Sequence, residues 1–342
     1  MSKLTKIMHL DCGRMYFRVN SLKMMIDSLA ECGYDQLQLA VGNDGLRLIL
    51  DDMAMDGKDS DTVKELVKQG NIAYNGDPSY LTESEMDEVI AYAQEKGIEI
   101  VPMVNTPGHM PAALAINPSY RLVEDGKTSN NSIDVRKEDA VAFGIELIKK
   151  YATYFASKGC HYFNFGADEY GNDAFYLGGL GFYLLETRGE FQYMVDYLNR
   201  ATEAVLECGL IPRAFNDPFY YHEDTSMKLN PVVEVCYWIK GWCGFDCAAV
   251  ETIAKKGHPM INCHGGWYYV LLPDGRVQKA SEHPDFDKFD AKVFPADQIC
   301  EDVAGAMICF WCDNSTLRTD EQVAEDAASE MKILYDKFMK DC

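Results

Sequence analysis

Eight short apolar runs of strand length alternate with amphipathic segments of helix length along almost the whole chain. This alternation is typical of repeated βα units, which build parallel sheets. A capping box formed by Thr82 and Glu85 marks the start of one helix. The predicted strands are residues 7–11, 36–41, 98–105, 161–167, 211–216, 232–238, 260–264 and 306–311, and the predicted helices are residues 21–32, 82–96, 138–158, 190–208, 246–256 and 320–339.

Eight such units predict a single (β/α)8 TIM barrel that forms one domain over residues 1–342. The length alone suggests two domains of about 150 residues each, but no linker or change of composition divides the chain. Long segments follow three of the strands, at 42–80, 106–136 and 264–299, on the face where barrels build active sites. The alternative is an open doubly wound sheet. No glycine-rich phosphate loop follows the first strand, which argues against nucleotide binding.

The net charge excludes several classes of partner. The chain has 32 Lys and Arg residues against 54 Asp and Glu residues, a formal net charge of −22. Because binding to nucleic acids and anionic membranes depends on basic surfaces, neither is an expected partner. No apolar run reaches the roughly 18–20 residues of a membrane span, and residues 1–7 lack the apolar core of a signal peptide. The sequence indicates no oligomeric state.

The chain contains 12 cysteines, spread along its length and mostly inside apolar runs. In a chain long enough to build its own core, this pattern indicates reduced, buried thiols and a cytoplasmic location. Cys309 and Cys312 form the only CxxC pair, but they lie in a predicted strand, where residues three apart point to opposite faces. No histidine pair has chelating spacing, so we expect neither a metal nor another cofactor.

Polar side chains collect at the C-terminal ends of the predicted strands, where a barrel would gather them at one mouth. Any single one of them has an alternative explanation as a helix cap or a turn residue. Asp168 and Glu169 stand out because two adjacent carboxylates end an apolar strand, although a solvent-facing pair at the start of a loop is the alternative. Crowding would raise the pKa of one of them, as a general acid requires. The full set is Asp11, Asp44, Asn105, Asp168, Glu169, Asp217 and Asp313.

All four tryptophans also fall at strand ends or in the loops that follow, although each one alone could be a packing residue. They are Trp238, Trp242, Trp267 and Trp311. Flat apolar rings beside carboxylates suit a sugar, which offers C–H faces for stacking and hydroxyls for hydrogen bonds. Arg14 could hydrogen-bond to sugar hydroxyls, or it could be an ordinary surface residue. His109 could hydrogen-bond to a catalytic carboxylate, or it could be a loop histidine whose hydrogen bonds are only structural.

In this order, these segments resemble glycoside hydrolase family 20, the β-N-acetylhexosaminidases, over nearly the whole chain. The likeness is to the catalytic modules of bacterial exo-β-N-acetylhexosaminidases with a Gly-Asn-Asp-Gly turn after the second strand. Many members carry a small α/β domain before the barrel, and we expect none here. The matching segments are residues 10–14 with Phe17, 42–47, 104–109, 166–169, 267–269 and 310–313.

The resemblance implies a retaining mechanism in which the 2-acetamido group of the substrate is the nucleophile. It implies that Glu169 protonates the glycosidic oxygen and later deprotonates water, while Asp168 holds the acetamide N–H. By position, Tyr268 would donate to the acetamide carbonyl, with Tyr269 as the alternative. The resemblance also places Trp238, Trp267 and Trp311 around the acetamide methyl group, Arg14 and Asp313 at the hydroxyls of the non-reducing end, and Asp44 and His109 behind Glu169.

One position departs from the family pattern. Better-known branches have an acidic residue two positions after the tyrosine, where this chain has Val270. The sequence therefore predicts an exo-β-N-acetylhexosaminidase acting on terminal GlcNAc or GalNAc, without fixing the preference at C4. The alternatives are an enzyme for a sulfated GlcNAc or for lacto-N-biose release, a carbohydrate-binding pseudoenzyme, and a hydrolase whose second essential carboxylate is Asp217 or Asp313.

Overall fold

Eight parallel strands close into a barrel, because the first strand pairs with both the second and the last. The computed structural model describes residues 4–175, 180–242 and 245–339. All eight predicted strands are present, with ends that differ by at most three residues, and the predicted TIM barrel is confirmed. The strands are β1 (Thr5–Leu10), β2 (Gln36–Asn43), β3 (Glu99–Thr106), β4 (Tyr162–Gly166), β5 (Ile211–Phe215), β6 (Glu234–Tyr237), β7 (Met260–Asn262) and β8 (Val303–Trp311).

Side chains alternate between the barrel interior and the outer core, as the two-residue period of a strand requires. In β1, Ile7 belongs to the interior cluster, whereas its neighbour Met8 packs in the outer core. The cysteines of the CxxC pair divide in the same way, with Cys309 in the interior cluster and Cys312 in the outer core. The prediction that these two thiols face opposite sides is therefore confirmed.

Helices cover the outside of the barrel, and all six predicted ones are present. The predicted helix at 246–256 begins four residues late because Phe245–Asp246 pairs with Gly241–Trp242 in a short hairpin. The helix predicted to end at residue 339 finishes its last turn, Tyr335–Met339, in π geometry. The helices are α1 (Val19–Glu31), α2 (Ser60–Asn75), α3 (Glu83–Glu95), α4 (Glu138–Ser157), α5 (Asn172–Phe175), α6 (Leu180–Thr187), α7 (Gln192–Glu207), α8 (Val250–Lys255) and α9 (Asp320–Leu334).

Two connections depart from the regular βα repeat. Residues 216–233, between β5 and β6, are all described and contain only the 3-10 turn Tyr221–Glu223. Buried aromatic side chains of this segment, including Phe219 and Tyr221, take the place of a helix against the barrel. Residues 263–302, between β7 and β8, form 3-10 turns and short strands. The barrel is thus complete as a sheet but not as a ring of α-helices.

Capping residues at the N-termini of α3 and α9 explain where these helices begin. Thr82 accepts a hydrogen bond from the Glu85 amide, and the Glu85 carboxylate accepts one of 2.8 Å from the Thr82 amide, which confirms the predicted capping box. Thr319 and Gln322 form a second box at α9. Among the helices of the described ranges, none is long and apolar enough to cross a membrane.

Candidate active site

The C-terminal ends of the strands surround a cavity of about 180 Å³. Most of the side chains that the sequence predicts for a sugar site meet here. The structure adds Phe215, the last residue of β5, and Val270 to the cavity wall. The full lining is Arg14, Asp168, Glu169, Phe215, Trp238, Tyr268, Val270, Trp311 and Asp313.

A sharp turn after β4 brings Asp168 and Glu169 to this cavity. Gly166, Ala167 and Glu169 have φ angles of +81°, +75° and +50°, in the left-handed region that non-glycine residues rarely adopt. A Cβ atom on Gly166 would stand 1.8 Å from Asn105 Oδ1, so only glycine fits this close approach. The turn allows two consecutive carboxyls to line one cavity instead of pointing to opposite faces.

Asp168 and Glu169 are neighbours with different surroundings. Asp168 is buried and accepts a hydrogen bond of 2.8 Å from Asn105 Nδ2. Burial raises the pKa of Asp168, against the opposing influence of His109. Burial would also raise the pKa of Glu169, but its contact with His109 outweighs this and holds the pKa below its ordinary value. The raised pKa that the sequence leads us to expect for a general acid therefore belongs to Asp168, and not to Glu169, because His109 lies against Glu169.

His109 lies behind the carboxyl pair, in the turn after β3. Its Nδ1 is 3.0 Å from Asp44 Oδ1, and its Nε2 is 3.3 Å from Glu169 Oε2 and 3.5 Å from Asp168 Oδ2. Burial would lower the pKa of His109, but the carboxylates, Asp44 first among them, raise it well above its ordinary value. The raised pKa favours the protonated imidazole, next to Glu169.

Arg14 extends its guanidinium between three carboxylates. Its Nε donates to Asp44 Oδ2 at 2.7 Å, and its Nη1 donates to Asp11 Oδ2 at 3.2 Å. The same Nη1 lies 3.6 Å from Asp313 Oδ1. Burial would lower the pKa of Arg14, but these carboxylates raise it well above its ordinary value. Asp11 is fully buried, whereas the Asp313 side chain is 33% exposed. Asp313 is therefore the more solvent-accessible of these two carboxylates.

Aromatic side chains form the opposite wall. Trp238 donates from Nε1 to Asp217 Oδ2 at 2.6 Å, which fixes the plane of its indole ring. Asp217 is fully buried, and burial raises its pKa well above its ordinary value. Phe215 and Trp311 pack against each other with ring centroids 6.0 Å apart. This wall has the flat apolar faces that stack on a sugar ring.

The two adjacent tyrosines of the predicted site separate clearly. Tyr268 lines the cavity, and its buried hydroxyl makes no hydrogen bond of regular geometry with the described residues. Burial raises the pKa of Tyr268 well above its ordinary value, so the phenol keeps its proton and can donate it. Tyr269 instead donates to Asp326 Oδ2 at 2.6 Å, on α9. The structure therefore puts Tyr268 at the cavity and Tyr269 against a helix.

Trp267 does not line the cavity. Its side chain is 1% exposed and packs against His264 and Phe289, with ring centroids 6.0 and 6.1 Å away. The 3-10 turn Gly265–Trp267 directs the ring into the core, a local geometry that the sequence pattern does not reveal. The side chain of Trp242 lies outside the described part of the structure.

Sequence reasoning gave no role to Phe215 and treated Asp217 only as a candidate second carboxylate. Strand alternation could have indicated Phe215. It is the last residue of β5 and lies two positions after Arg213, so both side chains point to the same face of the strand. No sequence signal reveals that Asp217 holds Trp238. Across the residues that the structure describes, no group of three or more His, Cys, Asp or Glu side chains could hold a metal ion.

A closed parallel barrel with clustered carboxyls and aromatic rings at the C-terminal ends of its strands has the groups that a glycoside hydrolase needs, and the family comparison shows that class. Residues 6–324 match the model of the catalytic domain of glycosyl hydrolase family 20. The chain belongs to this family.

Solved and curated relatives are consistent with this membership. A structure of the tandem family 20 catalytic modules of the pneumococcal exo-β-D-N-acetylglucosaminidase StrH is similar, with a TM-score of 0.89, 34% identity, and coverage of 98% of this chain and 83% of that chain. A lacto-N-biosidase from Bifidobacterium bifidum is 24% identical over 274 residues, covering 75% of this chain. A β-hexosaminidase from Vibrio furnissii is 27% identical over 178 residues, covering 47% of this chain. The matched regions span 23% and 28% of these two curated relatives.

Proposed function

We propose that this protein is a retaining exo-β-N-acetylhexosaminidase that releases terminal β-linked GlcNAc or GalNAc by substrate-assisted catalysis. The observation that carries the proposal is the adjacent pair Asp168 and Glu169 directly after β4, in a cavity with one aromatic wall. In this mechanism the substrate's acetamide oxygen attacks C1, so no enzyme carboxylate has to reach the anomeric carbon.

Glu169 acts as the general acid and then as the general base. It protonates the glycosidic oxygen as the bond to C1 breaks and the oxazolinium ring closes, and it later takes a proton from the water that opens that ring. The His109 imidazolium, 3.3 Å away, stores a proton beside the Glu169 carboxylate. In this proposal the two groups share one transferable proton, which rests on His109 and passes to Glu169 by way of water.

Asp168 and Tyr268 orient the nucleophile. Asp168 accepts the acetamide N–H, which turns the carbonyl oxygen toward C1 and stabilises the positive charge that develops on the ring. Its hydrogen bond from Asn105 fixes the carboxyl in place. Tyr268 donates its buried hydroxyl to the acetamide carbonyl oxygen, and Trp238 and Trp311 enclose the methyl group.

Arg14 and Asp313 hold hydroxyls at the non-reducing end. A cavity of about 180 Å³ is smaller than the roughly 300–1,000 Å³ of sites for drug-sized ligands, which favours a single terminal sugar. Val270 places an apolar surface in the wall. Because this surface cannot hydrogen-bond to a hydroxyl, we expect activity on both C4 configurations.

The test uses 4-nitrophenyl β-N-acetylglucosaminide with Glu169→Gln and Asp168→Asn, and Glu251→Gln as a control with a side chain that is 71% exposed. General acid–base catalysis contributes about 10²–10⁴-fold, so kcat should fall by at least about 100-fold in both site variants and not in the control. Near-wild-type turnover in either site variant would overturn the assigned roles. Tight binding of a thiazoline analogue of the intermediate without hydrolysis by the wild type would instead indicate a binding protein.

A substrate panel separates the proposed activity from its nearest alternatives. It contains the GlcNAc, GalNAc, 6-sulfated GlcNAc and galactosyl-β-1,3-GlcNAc aryl glycosides. Cleavage of the two unmodified monosaccharides supports the proposal. Cleavage of the disaccharide glycoside alone, with release of the intact disaccharide, would identify a lacto-N-biosidase activity.

The location of the enzyme is also part of this proposal. Eight of the cysteine thiols in the described ranges are buried in the core, which suits a compartment that keeps thiols reduced. We place the enzyme in the cytoplasm. Recovery of the activity from the culture medium or from a periplasmic extract of the source cells, and not from their cytosol, would contradict this placement.

A further inference from the structure

Asn172 is a polar residue of the active site that neither strand ends nor motif spacing indicate. It begins α5, three residues after Glu169, and its backbone amide donates to the Glu169 carbonyl at 3.3 Å. Its side-chain Nδ2 donates to Glu169 Oε2 at 3.1 Å. The turn that brings Glu169 into the cavity therefore also returns a hydrogen-bond donor to its carboxylate.

A chain of hydrogen bonds sets the direction of the Asn172 amide. The Ser132 hydroxyl accepts from the Gly171 amide at 3.0 Å, and its single proton is donated to Asn131 Oδ1 at 2.8 Å. Asn131 must then present its Nδ2 to Asn172 Oδ1, at 3.4 Å. With its oxygen used in this way, Asn172 presents its N–H group to Glu169. The hairpin Arg121–Ile133 and the turn after β4 thus share one directional network.

This network makes the two oxygens of the Glu169 carboxyl unequal. Oε2 receives the hydrogen bond from Asn172 and faces His109 Nε2 at 3.3 Å. No hydrogen bond from the other described residues ends on Oε1. A proton on the carboxyl is therefore more stable on Oε1, because on Oε2 it would compete with the N–H group that Asn172 already donates to that oxygen.

We propose that Asn172 is a positioning residue that keeps the transferable proton of Glu169 on Oε1 and makes Glu169 a stronger acid. The proposal rests on the function given above. A hydrogen bond to the ionised carboxylate favours that form, so the donor eases release of the proton to the glycosidic oxygen. Asn172 does this without touching the substrate.

The experiment compares Asn172→Asp with Asn130→Asp in the intact protein. Aspartate keeps the shape of Asn172 but replaces the donor with an acceptor, while Asn130 lies on the same hairpin with an exposed side chain and no hydrogen bond to Glu169. In Asn172→Asp, the basic limb of kcat/KM against pH should move up by about one unit or more, since a hydrogen bond to a charged group corresponds to roughly that shift. Asn130→Asp should keep the wild-type limb.

Leaving-group dependence distinguishes positioning from a general loss of structure. With 4-methoxyphenyl β-N-acetylglucosaminide, a substrate that needs protonation, kcat in Asn172→Asp should fall by about tenfold or more. With the 2,4-dinitrophenyl glycoside, whose leaving group needs little protonation, it should fall at most about twofold. Equal losses on both substrates, or a basic limb at the wild-type pH, would overturn the inference.

Two further measurements keep this inference separate from the proposed function. Asn172→Ala should show the same leaving-group pattern without an added charge, and an equal loss on the two substrates would count against the inference. The thiazoline analogue should bind both Asn172 variants with wild-type affinity, which verifies that the pocket is folded; a large loss of binding would assign Asn172 a structural role instead. If the wild type cleaves neither substrate, the proposed function itself fails.

Discussion

Arg14 donates a hydrogen bond of 2.7 Å to Asp44, and this contact joins the two halves of the active site. The other oxygen of Asp44 holds His109, which in turn faces Glu169. The arginine assigned to the sugar hydroxyls and the group assigned to proton transfer therefore share one carboxylate. Hydroxyl recognition and acid–base chemistry are coupled through Asp44.

Replacing Arg14 with lysine tests this coupling. Lysine keeps the charge but cannot supply Nε and Nη1 to two carboxylates at once. Because the hydrogen bonds that would be lost hold Asp44, and Asp44 in turn holds His109, we expect kcat/KM to fall by about tenfold or more. Arg276→Lys, at a side chain that is 76% exposed, should leave kcat/KM unchanged. If Arg14→Lys raised KM alone and left kcat intact, Arg14 would bind the sugar without affecting the acid.

The pH dependence should depend on His109. In the wild type, the His109–Glu169 pair loses its proton as the pH rises through the raised pKa of His109. In His109→Gln, the carboxyl alone holds the proton, and its ordinary pKa is only 4.5. Burial will raise the pKa of Glu169 once the imidazolium is removed. Even so, the basic limb of kcat/KM should move to lower pH. His161→Gln, at a side chain that is 75% exposed, is the control, and an unmoved limb in His109→Gln would contradict the stored proton.

Asp217 is predicted to hold Trp238 and not to react. Burial raises the pKa of Asp217, which disfavours its charged form, and Asp217→Asn keeps an oxygen acceptor for the indole N–H. Asp217→Ala leaves that N–H without a partner, which costs about 1–3 kcal/mol of stability. The Tm should therefore fall, and KM should change, in Asp217→Ala. Both effects should be much smaller in Asp217→Asn. A large fall of kcat in Asp217→Asn would revive Asp217 as a second catalytic carboxylate.

The turn after β4 should tolerate no side chain at Gly166. Gly76 has nearly the same φ, +82° against +81°, but an added Cβ there would meet nothing within 4 Å. Gly76→Ala should therefore lose only the roughly 1–2 kcal/mol of a left-handed alanine. Gly166→Ala must also displace Asn105, and should lose more stability together with activity. Equal losses in denaturant unfolding of the two variants would show that the close approach to Asn105 is unimportant.

The sequence predicts the barrel well because each strand and helix has its own periodic pattern. The eight strands needed no knowledge of their partners, since apolar runs between helices already identify them. The connection between β5 and β6 was less accessible. Phe219 packs against His258 and Tyr221 against Phe191, and such contacts between distant residues leave no local pattern.

The active-site residues also differ in how far the sequence predicts them. Asp168 and Glu169 were visible because they are adjacent at a strand end. The different positions of Tyr268 and Tyr269, and the burial of Trp267, accompany one 3-10 turn, and Phe289 packs against His264 and Trp267 at this turn. Asn172 was invisible because its role follows from the turn after β4. Strand-end residues can be predicted from pattern, whereas the orientation of loop residues depends on tertiary contacts.

The measurement that tests the central claim most directly is the rate of cleavage of 4-nitrophenyl glycosides with N-acetyl, N-difluoroacetyl and N-trifluoroacetyl groups. Fluorine withdraws electrons from the amide oxygen, so if that oxygen is the nucleophile, kcat/KM must fall steeply along the series. We expect a loss of at least about tenfold at each step, with no cleavage of the matching β-glucoside. A rate that is independent of fluorination, or cleavage of the glucoside at a comparable rate, would contradict substrate-assisted catalysis.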